Sequence, residues 1–211
     1  KEYPYGTASD EGRAMMHIIH DVAPGAKLAF HTGSLSPRNF EVGFKALAGF
    51  NEFNELIDTD LGLNSNLIVD DITFITEPFF GEGRISAAII AFSSAGGTHF
   101  TSAGNFADDG YQAIFNATTS APTTSFLPQG SPARAHIFDT TTGDYLQKIS
   151  VKGGETYMIV LQWDNSSASQ NNLNGAAIDL DFYIVNDSGR LLVGNNRSNE
   201  DGDAAEIMVY T

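Results

Sequence analysis

The chain contains no cysteine, one tryptophan, few basic residues and no long apolar run. Without cysteine there is no disulfide, no thiolate metal site and no cysteine nucleophile. Lysine and arginine total 11 against 26 acidic residues, a formal net charge of −15. A surface field of that sign repels phosphate backbones and anionic lipid headgroups, so nucleic acid is not an expected partner. No apolar stretch approaches the roughly 20 residues that cross a bilayer, so no membrane span is expected. The opening K-E-Y-P-Y-G-T-A-S-D also lacks the apolar core of a signal peptide, which places any export signal upstream of Lys1. What the chain does have is an ordinary apolar content and abundant aromatics, over a length of 211 residues that suits two small domains. Its acidity fits a cation-binding, secreted or halotolerant protein as well as a merely soluble surface.

Two textures divide it. From Asp10 to about Asn105, helical stretches alternate with short apolar runs, the pattern of a parallel sheet covered by helices. Ser9 or Asp10 can cap a first helix whose buried stripe would be Ala14, Met15, Ile18 and Ile19, ending at Pro24-Gly25. A strand is predicted over Lys27 to His31. Ser36-Pro37 reads as the N-cap and first position of a second helix that turns Phe40, Phe44 and Leu47 inward. A strand at Leu67 to Asp71, a helix at about Gly83 to Ala95 and a strand at Thr98 to Ser102 complete β, α, β, α, β. Beyond Asn105, β-branched and aromatic runs are separated by Gly, Asn, Asp and Ser, which predicts an all-β sandwich. Its candidate strands are Arg134 to Phe138, Leu146 to Val151, Thr156 to Trp163, Ile178 to Val185, Arg190 to Val193 and Ala205 to Tyr210. The expected organisation is an α/β domain over residues 1–116, a Thr-, Ser- and Pro-rich linker over 117–132, and a sandwich over 133–211.

Several residue groups can carry chemistry. The run S-A-G-N at Ser102 to Asn105 ends a predicted strand in a small-residue turn, and an amide held there can hydrogen-bond the oxyanion of a tetrahedral intermediate; it also suits a plain Gly-Asn turn. In D-E-G-R-A-M-M-H-I-I-H-D-V-A-P-G-A, Asp10 and Glu11 open the first helix, where acids complement the helix dipole. Glu11 can equally act as a general base if its surroundings tune it towards the working pH. Asp70 and Asp71 end a strand, where open parallel sheets place ligands, so that Asp71 faces a cleft or serves as a strand-end turn acid. His17 and His20 lie three apart on one helix without an evident third ligand. Asp179, Asp181, Asp201 and Asp203 offer hard oxygen ligands suited to calcium, or form a solvated face. The Asn-X-Ser/Thr sequons at Asn116, Asn165, Asn186 and Asn196 indicate exposed loops.

The helix with its V-A-P-G-A exit, followed by V-D-D at Val69 to Asp71, E-P-F-F at Glu77 to Phe80 and S-A-G-N, resembles the catalytic domain of subtilisin- and sedolisin-type serine peptidases. The D-E-G-R-A-M wording is similar to a bacterial branch between those families. The resemblance places Glu11 where subtilases carry the catalytic histidine and sedolisins a glutamate, and it makes Asn105 the oxyanion donor. It departs from both patterns elsewhere. Met15 stands where sedolisins have aspartate, the subtilase aspartate would precede Lys1, and no G-T-S nucleophile motif occurs between Asn105 and Thr211. Ser125, in T-T-S-F-L-P, leads into proline and linker rather than a helix, a poor setting for a nucleophile. Gly97-Thr98-His99 matches the subtilase G-T-H tripeptide, but it leads into the strand of Asn105, far from a catalytic histidine's helix start. The L-Q-W-D at Leu161 to Asp164 and the D-L-D-F-Y at Asp179 to Tyr183 resemble the pre-peptidase C-terminal sandwich of secreted bacterial peptidases. The implied protein is a part of a secreted serine endopeptidase acting on peptide or protein substrates, inactive without the segments that supply the aspartate and serine. The alternative is a non-catalytic module in which the sandwich binds carbohydrate or protein.

Overall fold

A computed structural model describes residues 9–55, 64–107, 109–124, 126–127, 132–170 and 174–211. It has mixed helix and strand content, with one short parallel sheet and two small antiparallel ones.

The first helix, α1 (Glu11–Val22), forms where the sequence predicts it, but none of its residues is buried. Ile18 and Val22 are exposed, and of the predicted stripe Met15 and Ile19 are only half-buried. Asp10 occupies the N-cap, yet its carboxylate pairs with Arg13 instead of capping a backbone amide. The predicted strand at Lys27 to His31 does not form. The segment packs through side chains instead: the Phe30 ring lies where a Cβ on Gly12 would be, and the His31 ring does the same at Gly43. A strand needs a ladder partner, and this run has none among the described residues.

The second helix, α2 (Pro37–Ala48), is specified at both ends. Ser36 Oγ accepts from the Asn39 N–H at 3.1 Å, and Pro37 fills the first position. At the other end Gly49 turns left-handed (φ 77°), and Phe50 N donates to Lys45 O at 2.8 Å, which folds Phe50 back into the core. Replacing Ser36 by alanine orphans the Asn39 amide and is expected to cost about 1 kcal/mol in a chemical melt; Ser36→Asp should lose nothing.

The strand β1 (Leu67–Asp70) pairs in parallel with β2 (Thr98–Thr101), with Asp70 opposite Thr101. Between them runs α3 (Arg84–Ser94), which ends in a Schellman turn: Gly97 N donates to Phe92 O and Gly96 N to Ser93 O, with Gly96 at φ 91°. One face of the strand pair packs on α2 and α3. Phe40, Phe44, Ala48, Phe50, Ile68, Ala88 and Phe92 form this core. Lys45 donates to Glu41 Oε1 of its own helix at 2.7 Å and to Glu52 O beyond it at 2.9 Å, while Arg84 of α3 approaches the other Glu41 oxygen at 3.6 Å and bridges the two helices. On the opposite face Leu67, Val69 and Phe100 remain exposed.

In the second half β3 (Tyr157–Gln162) pairs antiparallel with β6 (Ala205–Tyr210), and β4 (Phe182–Val185) with β5 (Leu191–Asn195). The predicted strands at Arg134 to Phe138 and Leu146 to Val151 are irregular, apart from isolated bridges between Ala117 and His136 and between Asp139 and Asp144. Asp139 supplies the reason locally, since its carboxylate accepts from Thr141 N and Thr142 Oγ1 and curls the chain into a turn. Ile178 to Asp181 likewise stays outside the ladder that begins at Phe182. A small core of Trp163, Ala176 and Ala204 holds this half, with Leu161 and Leu180 against it. No helix among the described residues is long and apolar enough to cross a membrane.

Candidate functional site

Because β1 and β2 are parallel, their carboxyl ends lie together, and Asp70, Asp71 and the Ser102 to Asn105 turn gather at that end. Gly104 adopts φ 80°, the left-handed geometry that turns the chain sharply before Asn105. Asn105 and Asp71 are exposed, and their side chains make no hydrogen bond among the described residues. Glu11 is also exposed, in the first turn of α1. Among the described residues, no hydrogen bond or ion pair joins Glu11, Asp71 and Asn105. His17 and His20 are exposed, and Ser125 lies outside the described residues.

What the strand ends do assemble is a different pair. His99 Nε2 lies 2.5 Å from Asp70 Oδ2, with both side chains about one-tenth exposed. Thr101 donates its hydroxyl to Asp70 Oδ1 at 2.8 Å, and Ile72 N approaches the same oxygen at 3.3 Å. The His99 ring stands edge-on to Phe44, with centroids 5.4 Å apart. His99 and Thr101 are two residues apart and therefore share a face with their cross-strand neighbours Ile68 and Asp70. The pair cross-links the two strands at the rim of the core. The histidine of G-T-H is thus engaged by a carboxylate.

Next to this sheet, the Phe74–Gly83 segment is clamped by the second half. Gln162 Nε2 donates to Ile75 O at 2.9 Å and Glu77 O at 3.1 Å, and its Oε1 accepts from Phe79 N at 2.8 Å. Glu77 receives a backbone hydrogen bond from Ile85 at the start of α3, yet burial keeps its carboxyl above the usual range. A cavity of about 590 Å³ opens alongside, lined by Phe80, Glu82, Asp164, Ser166 and Gln170 among others.

The acidic residues of the second half do not form a metal centre: among the described residues no three His, Asp or Glu side chains converge on a common point. Asp203 Oδ1 accepts from Ser169 N at 2.7 Å, Asp179 Oδ1 accepts from Asn199 N at 2.9 Å, and Asp201 sits in a left-handed turn (φ 62°). Burial, with help from Asp179, raises the Asp181 carboxyl; Tyr183, half-buried and beside Asp181 and Asp179, is pushed up to about 12. These carboxylates therefore serve turns and strand ends, and the donor set expected for calcium is not brought together.

Sequence reasoning missed three features of consequence. Asp70–His99 depends on the register of two strands 29 positions apart. Gln162 reaches 83 to 87 positions back. Glu206, in a strand that reads as alternating, turns inward. Comparison with family models, curated proteins and solved structures returned no match for this chain.

Proposed function

We propose that this chain is part of a secreted serine endopeptidase of the subtilisin or sedolisin type, inactive alone, in which Glu11 serves as general base and Asn105 as oxyanion donor. The observation that carries this reading is the parallel β1–β2 pair: the S-A-G-N turn follows its carboxyl end, where parallel sheets place ligands, while Leu67, Val69 and Phe100 leave one apolar face bare. Parallel strands ordinarily carry cover on both faces, so a further layer that supplies the serine would complete site and sheet together. In the completed site the serine oxygen attacks the peptide carbonyl, Glu11 takes the hydroxyl proton and returns it to the leaving amine, and the Asn105 amide donates to the oxyanion. The same reading takes 133–211 as a sandwich of the pre-peptidase type. Its sheets would be β3–β6 and β4–β5, which the Asn195 Nδ2 to Ile207 O bond at 3.0 Å connects.

A casein-type substrate assayed from pH 3 to 8 tests it, with the chain alone and within its complete gene product. The chain alone should show no cleavage. In the complete product, Glu11→Ala should lower turnover by about 10²–10⁴-fold and Asn105→Ala by about 10²–10³-fold. Unchanged activity in Glu11→Ala removes that residue from the mechanism, and cleavage by the chain alone sinks the incomplete-site reading.

The cavity favours a second reading, a module that binds carbohydrate or protein. Phe80 is partly exposed there beside the carboxylates of Glu82 and Asp164, an aromatic platform with polar rims. Glycan-array or peptide-array binding that Phe80→Ala abolishes, in a complete product without peptidase activity, would select it.

A further inference from the structure

Glu206 is the most completely buried large side chain of the second half, with 0% exposure, and neither carboxylate oxygen has a hydrogen-bond partner among the described residues. It lies on β6 opposite Leu161 and between the inward residues Ala204 and Met208. The groups that act on it electrostatically are mostly acidic: Asp179 and Asp181 ahead of β4 and Tyr183 on β4, with Arg197 in the β5–β6 loop opposing them. From β3 the facing residue is the apolar Leu161. The nearby amide oxygen of Asn199 is also buried and unpaired among the described residues, while its Nδ2 donates to Asp203 O and Ala205 O. An ionised carboxylate without a partner is far costlier in such a place than a neutral carboxyl.

We propose that Glu206 makes the second half an acid-locked element: it folds with a protonated carboxyl, and loss of that proton loosens the β3–β6 seam. The seam also holds the two halves together. Gln162, which clamps residues 75–79, is the β3 residue next to Leu161 and pairs with Ala205, next to Glu206. Loosening at Glu206 therefore frees the clamp, so that acidic pH tightens the union of the halves and neutral pH relaxes it. Burial, opposed by Arg197 and reinforced by Asp181 and Asp179, holds the Glu206 carboxyl above the usual 4.5. The sign follows: a group raised by folding contributes its full stability below about 4.5, and this contribution is lost as pH rises through the folded-state value.

Hydrogen exchange of the Phe79 amide, which donates to Gln162, reads the clamp directly. From pH 4 to 8, after correction for intrinsic rates, the opening equilibrium of the wild-type chain should rise up to about tenfold per pH unit above 4.5 until Glu206 is ionised. In Glu206→Gln, which keeps the shape and cannot ionise, that rise should be reduced, leaving the smaller slope contributed by Glu77 and Asp181. A wild-type opening equilibrium that stays flat with pH overturns the proposal without recourse to any variant. So does a rise that Glu206→Gln leaves unchanged. Adding calcium chloride at pH 7.5 is the third arm: no change in protection is expected, and recovery of acid-level protection by calcium would show that a cation rather than a proton neutralises the site.

Discussion

Truncating Phe44 to alanine is expected to destabilise the α/β half by about 3–5 kcal/mol, the range for removing a buried aromatic that its surroundings cannot replace. Phe44 is 3% exposed and sits where α2, α3 and β2 meet. Its ring meets Phe92 of α3 edge-on at 5.5 Å and His99 of β2 at 5.4 Å, and stacks on Phe40 of its own helix at 6.3 Å. These contacts are with groups on three different elements, so collapse around the gap would have to move α2, α3 and β2 at once. Urea denaturation followed by helical circular dichroism measures the effect. Phe79→Ala is the control, because that ring is 60% exposed and its removal should fall within about 0.5 kcal/mol of the parent. A Phe44 loss no larger than the control's would show that the aromatic cluster is not what holds the helices on the sheet.

The sequence patterns that proved legible were those whose cause is local. Ser36-Pro37 marks the start of α2 through a hydrogen bond closed within three residues, whereas the glycine exits of α2 and α3, at Gly49 and Gly96-Gly97, are visible only in the structure. The strands β1, β2, β3 and β6 also lie where apolar runs predict them, because each found a partner of matching length. The same kind of run at Lys27 to His31 failed. Its side chains found the gaps above Gly12 and Gly43, and no neighbouring strand among the described residues offered hydrogen bonds. Arg134 to Phe138 and Leu146 to Val151 failed for a related reason: the Asp139 turn and the bridge to Ala117 satisfy backbone groups piecemeal and leave no continuous ladder.

The candidate site was legible as motifs and not as an assembly. Glu11 and Asn105 stand at a helix start and beyond a strand end, as their flanking residues require, but nothing in a sequence fixes the angle at which α1 meets the sheet, and α1 buries no residue on it. His99 shows the converse. Its tripeptide pointed to a catalytic role that its strand context rejects, while the partner it does have became visible only once β1 and β2 were aligned.

That partner sets the second large effect. Asp70→Ala should destabilise the chain by about 2–4 kcal/mol, because a nearly buried carboxylate that accepts from a hydroxyl and meets a histidine leaves both stranded when it goes. Asp70→Asn should recover part of the loss, since its amide oxygen can still accept from Thr101 and Ile72. A packing effect alone would give the same ranking, so the decisive measurement is a double-mutant cycle with His99→Ala. If the two side chains stabilise the strands through each other, the double variant should be less destabilised than the sum of the singles by at least about 1 kcal/mol. Additivity within about 0.3 kcal/mol would mean that the contact is geometric only. The β1–β2 pair would then owe its order to Ile68 and the helices packed beneath it, and the carboxyl-end turn carrying Asn105 would have no polar brace.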